Sequence, residues 1–133
     1  MLLLTHIVFS LFLGILISNN PYFIILLMFA SILPDFDMHV PFVRHRGIFH
    51  SIFAGALVGL LFLPFSFQLA FAFFLGYCMH LLADSLTKAG VKPFWPHPYR
   101  TKFGFITTGG ISEKVFFVLI LGFLAVKVLY ILN

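Results

Sequence analysis

Long apolar runs separated by short polar breaks dominate this chain. Five runs stand out, at 2–18, 21–34, 48–63, 67–86 and 114–132, and each predicts a helix. "SNNP" at 18–21 and "LPFSF" at 63–67 read as tight turns, because Asn and Pro interrupt a helix. Two longer polar stretches remain, 35–47 and 87–113. A helix rises about 1.5 Å per residue and the hydrocarbon core of a bilayer is about 30 Å thick, so ~20 residues cross it comfortably. The second and third runs are shorter, which implies local thinning of the bilayer or hairpins that enter and return. In either case runs one and two form a pair, as do runs three and four. The N-terminus and both polar loops therefore share one face.

Composition turns this pattern into a membrane assignment. The chain has 133 residues, of which 62% are hydrophobic and 9% charged, with 20 Phe; the mean hydropathy is +1.12. These values lie outside the range of ordinary soluble domains. The expected fold is an all-α integral membrane protein, one domain over 1–133, built as a bundle of about five transmembrane or membrane-embedded helices. The first run lacks a basic leader and a small-residue cleavage site, and reads as a retained helix. Cys78 is the one cysteine, in an apolar run, and reads as a buried, inert thiol. No disulfide framework or CxxC motif is present.

The net charge of +4 resides in the loops. Arg44, Arg46, Lys88, Lys92, Arg100, Lys102 and Lys114 fall on the face shared by the N-terminus and loops 35–47 and 87–113, and the opposite turns carry no Lys or Arg. The positive-inside rule then predicts a multi-pass protein of the cell (inner) membrane, with its N-terminus and both loops in the cytoplasm. Lys127, late in the last run, is expected to snorkel outward. Small residues at steps of four, Ser10, Gly14 and Ser18 in the first helix and Ser51, Gly55 and Gly59 in the third, predict close helix contacts.

Against this apolar background the scarce polar residues are concentrated. The chain has four acids and six histidines. "LPDFDMHVPFVRHRGIFHS", 33–51, holds Asp35, Asp37, His39, His45 and His50. His80 and Asp84, four apart near the end of the fourth helix, share a face about 6 Å apart along its axis. His6 lies about one turn inside the first helix. Four elements thus deliver His or Asp to one membrane face, where ionisable groups are costly and usually functional. Imidazole with carboxylate is a donor set for zinc, manganese or iron. Each member also has a local explanation: Asp35 and Asp37 as turn formers, His80 with Asp84 as a hydrogen-bonded pair, and His50–Ser51 as a helix cap.

The succession "TH" (5–6), "LPDFD" (33–37), "HRGIFHS" (45–51), "GYCMHLLADSLTKAGVKPFWP" (76–96) and "TGGISE" (108–113) resembles the YdjM-like family over nearly the whole chain. That family is described as LexA-regulated, membrane-bound, metal-dependent hydrolases. It is grouped with zinc-dependent phospholipase C and related nucleases, all-helical proteins with clustered His and Asp ligands. The resemblance implies metal ligands at His6, Asp35, Asp37, His50, His80 and Asp84, holding one or two divalent ions, zinc first. One departure is that relatives commonly read "DxDH", whereas here Met38 stands between Asp37 and His39.

The implied chemistry is attack of an activated water on a phosphorus or carbonyl centre. Arg46 is the candidate for stabilising negative charge in a phosphoryl transition state. His45 is a candidate acid or base, and Glu113 matches the family's late Glu. "VKPFWPHPYRTKF" mixes aromatic and basic residues as interfacial anchors do, and would suit an anionic lipid head. The leading expectation is a metal-dependent phosphoester hydrolase acting at the cytoplasmic face on a lipid or other membrane-associated phosphate. A non-catalytic metal-stapled scaffold is the alternative. A metal transporter is a weaker one, because the far side offers mainly Ser18, Asn19, Asn20, Ser66 and Gln68. Nucleic acid is not an expected partner, and the oligomeric state is open.

Overall fold

The computed structural model describes residues 1–39, 41 and 46–132. Among the described residues five α-helices form: α1 (Leu3–Ile17), α2 (Pro21–Ala30), α3 (Ile52–Phe62), α4 (Phe67–Ser85) and α5 (Ile111–Leu132). Short 3-10 helices occupy Leu33–His39 and Ile48–His50. No strand forms among the described residues. Two isolated β-bridges, Thr87 with Ile106 and Val91 with Thr101, fold the 87–113 loop back on itself.

The turns follow their local chemistry. Asn20 Oδ1 accepts from the backbone N–H of Tyr22 at 3.0 Å, with Pro21 at the first helical position, so "SNNP" starts α2 cleanly. α2 stops at Ala30, short of the expected 34. Pro34 has no N–H to offer the Ala30 carbonyl four residues back, and its ring would clash there. The chain continues as a tighter 3-10 helix, so Asp35 and Asp37 are held in an ordered element. α5 starts at Ile111, three residues before the expected 114.

α4 is the central helix and packs against α1, α2 and α3, while α5 lies along α1. The small residues sit where helices meet. A Cβ on Gly55 would lie 2.9 Å from the Tyr77 ring, one on Gly59 3.1 Å from Phe74 Cβ, and one on Gly14 3.3 Å from Ile24. Lys127 lies late in α5. Its Nζ donates to the Ile15 carbonyl at 2.9 Å, satisfying a last-turn acceptor of α1 at the end of the bundle opposite His6.

Polarity runs from inside to outside in the reverse of the sense found in water-soluble domains. Leu57, Leu61, Val118, Leu119 and Val126 are more than 60% exposed, whereas His6, His50, His80, Asp37, Asp84 and Glu113 are at most 1% exposed. The helical runs Pro21–Met38 and Phe67–Ser85 are long and apolar enough to cross a membrane. α1 and α3, at 15 and 11 residues, rise only about 22 and 16 Å.

Candidate metal centre

His80 enters the centre from α4 with one ring nitrogen already committed. Its Nδ1 lies 2.7 Å from the Ser31 carbonyl, an acceptor that requires the proton on Nδ1. That leaves the Nε2 lone pair facing inward, the arrangement in which an outer hydrogen bond fixes the tautomer of a metal-binding histidine. The carbonyl is available because α2 has ended one residue earlier. His50 is oriented in the same way. Its Nδ1 lies 3.0 Å from Asp37 Oδ2, and its Nε2 points to the centre. The 3-10 helix carrying His50 is held by Tyr77, whose hydroxyl donates to the Phe49 carbonyl. Ser51 then caps α3, accepting from the Ala54 N–H at 3.2 Å.

The inward-facing atoms converge. His50 Nε2 and His80 Nε2 are 3.3 Å apart. Asp35 Oδ1 lies 3.5 Å from the first and 3.6 Å from the second. Asp84 Oδ2 lies 3.8 and 3.9 Å from them. His6 stacks on the His80 ring with centroids 3.8 Å apart, and its Nε2 is 3.5 Å from Asp84 Oδ1. Two groups of three donors, His6–Asp35–His80 and His50–His80–Asp84, have ligand atoms within 4.8 Å of one another, and both use His80.

These donors fit a metal ion on two observations. Two imidazole nitrogens bound about 2.05 Å from one tetrahedral ion stand about 3.3 Å apart, which is the separation of His50 Nε2 and His80 Nε2. His6 Nδ1 is buried without a hydrogen-bond partner, an arrangement that costs free energy unless a further group satisfies it. Buried imidazoles and carboxylates facing one another are rich in acceptors, and a cation resolves that imbalance.

The remaining candidates have different placements. Asp37 sits behind His50, and its Oδ2 also accepts from the Arg46 N–H at 3.0 Å. Arg46 adopts a φ of +62°, a left-handed conformation costing about 1–2 kcal/mol for a non-glycine residue. Its backbone N–H reaches Asp37 in that conformation. Its guanidinium donates from Nη2 to Asp84 at 3.2 Å and from Nη1 to the Gly90 carbonyl at 3.0 Å. The Met1 amino nitrogen lies 2.6 Å from Asp84 Oδ1. Glu113 is buried away from the convergent donors, accepting from the Leu2 N–H at 2.7 Å and the Gly109 N–H at 2.6 Å. It thereby ties the start of α1, and hence His6, to α5. His45 lies outside the described residues.

Several supporting groups were not singled out in the sequence. The Thr87 hydroxyl donates to the Asp84 carbonyl at 2.7 Å and accepts from the Gly90 N–H at 3.2 Å, shaping the turn that offers the Gly90 carbonyl to Arg46. Gly90 has φ +65°, and a Cβ there would lie 2.6 Å from the Thr101 carbonyl oxygen. The signal for both was the spacing of "TKAG" after Asp84.

The outer position of Asp37 makes a graded prediction. Asp37→Asn keeps all five convergent donors and is expected to weaken metal affinity by about 10–100-fold without abolishing it. Competition against a chromophoric chelator measures this, and complete loss of binding would show that Asp37 is itself a ligand.

A family described as YdjM inner membrane protein matches residues 1–132. No curated protein and no solved structure matches the chain.

Proposed function

This chain belongs to the YdjM family of inner membrane proteins, and we propose that it is a metal-dependent hydrolase acting on a phosphoester of a lipid or other membrane-associated molecule. The observation that carries the reading is the convergence of five buried His and Asp side chains from α1, α4 and both 3-10 helices on one point. His50 and His80 would bind through Nε2, with Asp35, Asp84 and His6 completing the set. Zinc is the first choice for this mixture of imidazole and carboxylate, with manganese or iron as alternatives. One ion is favoured over two, because both donor groups depend on the single available lone pair of His80. A bound divalent ion supplies Lewis acidity towards a polarised phosphorus or carbonyl centre.

The chain's own residues do the rest. Asp37 and the Ser31 carbonyl hold the two imidazoles in register. Arg46 brings a guanidinium to within 3.2 Å of Asp84, and is the candidate for binding an anionic oxygen of the substrate. Arg46 and the basic residues of the 87–113 loop lie at the end of the bundle that holds the centre, so the positive-inside rule puts that end, with the N-terminus, in the cytoplasm.

A second reading has an observation in its favour. The donors are all buried, as in closed structural sites, so the metal could instead staple short helices into a stable bundle. Transport is disfavoured, because the convergent acids and histidines crowd one end of the bundle. The deciding experiment loads detergent-purified protein with zinc or manganese and supplies a chromogenic phosphodiester. Turnover that is lost in Arg46→Gln while metal is retained supports the hydrolase. Stoichiometric metal with no turnover on any phosphoester, and a bundle that melts on chelation, supports the staple.

A further inference from the structure

A groove of about 470 Å³ runs between α3 and the Trp95–Pro96 corner, lined by Ile48, Phe49, Phe53, Ala54, Leu57 and Trp95. We propose that it holds an acyl chain of an anionic phospholipid whose phosphate faces the centre, which deepens the hydrolase reading above by naming its substrate class.

Continuity is the first argument. Ile48 and Phe49 precede His50 in the same 3-10 helix, so the inner end of the groove is one residue away from a convergent donor. From there it follows Phe53 and Leu57, one helical turn apart on α3 and each 61% exposed, towards the other end of the bundle. The direction is that of a lipid whose head lies at the centre and whose tail lies along the helix. α3 is too short to span a bilayer, and the described residues leave Phe53 and Leu57 on this face largely uncovered.

Charge is the second. All four acidic side chains are buried, whereas Lys88, Arg100, Lys102 and Lys114 are exposed. The exposed charged side chains among the described residues are therefore basic and complement an anionic head. The third is the rim. Phe36, Met38 and Ile48 are exposed beside the donor-bearing segments, at 55%, 60% and 48%. A water-borne phosphoester would meet an apolar margin there, whereas an amphiphile arriving within the membrane would not. A comparable groove around Gly59, Leu63 and Phe67 lies at the far end of α3 and has no link to the centre.

Trp95 is the only tryptophan of the chain and reports on the groove directly. The full chain in detergent is titrated with phosphatidylglycerol brominated on its acyl chains. Quenching is expected to saturate near one lipid per chain, to be competed by unbrominated phosphatidylglycerol and to be weaker with phosphatidylcholine. Phe53→Ala with Leu57→Ala strips the wall without adding bulk and is expected to weaken binding by about tenfold, with metal content unchanged. Ala54→Phe fills the groove and provides a second, independent variant. Quenching that rises without saturation and is equal in all variants, or equal for both head groups, overturns the proposal. So does Trp95 emission that depends on protein concentration and not on lipid, which would assign the groove to a second copy of the chain. Saturable binding that persists in His80→Ala, with no hydrolysis by the parent, confirms the groove and sinks the hydrolase. Turnover of a water-soluble phosphodiester without saturable quenching does the reverse.

Discussion

Replacing His80 with alanine is expected to reduce bound metal from about one equivalent to background, a loss of affinity beyond the 10–100-fold typical of outer partners. The reason is its position as the shared member of both donor groups. Its Nε2 is the atom from which the distances to His50, Asp35 and Asp84 are all 3.9 Å or less. Its ring also stacks on His6, so truncation removes one donor and frees another from its orientation. Elemental analysis of detergent-purified parent and variant measures the effect, with circular dichroism to confirm retained helix. Near-stoichiometric metal in a folded His80→Ala protein would falsify the proposed centre. Asp37→Asn provides the internal comparison, since it should lose affinity but not occupancy at saturating metal.

Much of this was legible in the sequence, for reasons that can be stated residue by residue. The five apolar runs became five helices because Asn20 with Pro21 and Ser51 supply the starts, and Pro34 limits the end of α2. His80 and Asp84 reach one centre because four residues make about one helical turn. Less legible was the division of labour between Asp35 and Asp37. On an α-helix or a strand their spacing has a fixed meaning, but in an unassigned loop it has none. On the 3-10 helix they occupy, residues two apart point in clearly different directions at about three residues per turn. One faces His80 while the other stands behind His50. Also illegible were the structural contacts of two candidate residues: Glu113 anchors α1, and Arg46 bridges Asp37, Asp84 and Gly90. Their hydrogen bonds span up to 111 positions of sequence, which no local pattern reveals.

Gly76→Ala is expected to cost about 1–3 kcal/mol of stability or more, and to weaken metal binding without touching a donor. Gly76 lies on α4 where α2 crosses it. A Cβ there would collide with the Leu27 carbonyl oxygen and come within 2.8 Å of Ala30 Cβ. The first obstacle is backbone, so rotamer changes cannot relieve it and the two helices must separate. α2 does not move alone. Ser31 follows its last residue, and the Ser31 carbonyl fixes the tautomer of His80 across a 2.7 Å contact. Beyond it stand Asp35 and Asp37. A shift of α2 by a few tenths of an ångström therefore reaches one ligand, one orienting carboxylate and one orienting carbonyl together. Gly122→Ala is the matched control, because nothing lies within 4 Å of a Cβ there. Thermal unfolding in detergent and chelator competition should both separate the two variants. If Gly76→Ala lowers stability but leaves metal affinity at the parent value, α2 does not position the centre, and the coupling between helix contact and site is wrong.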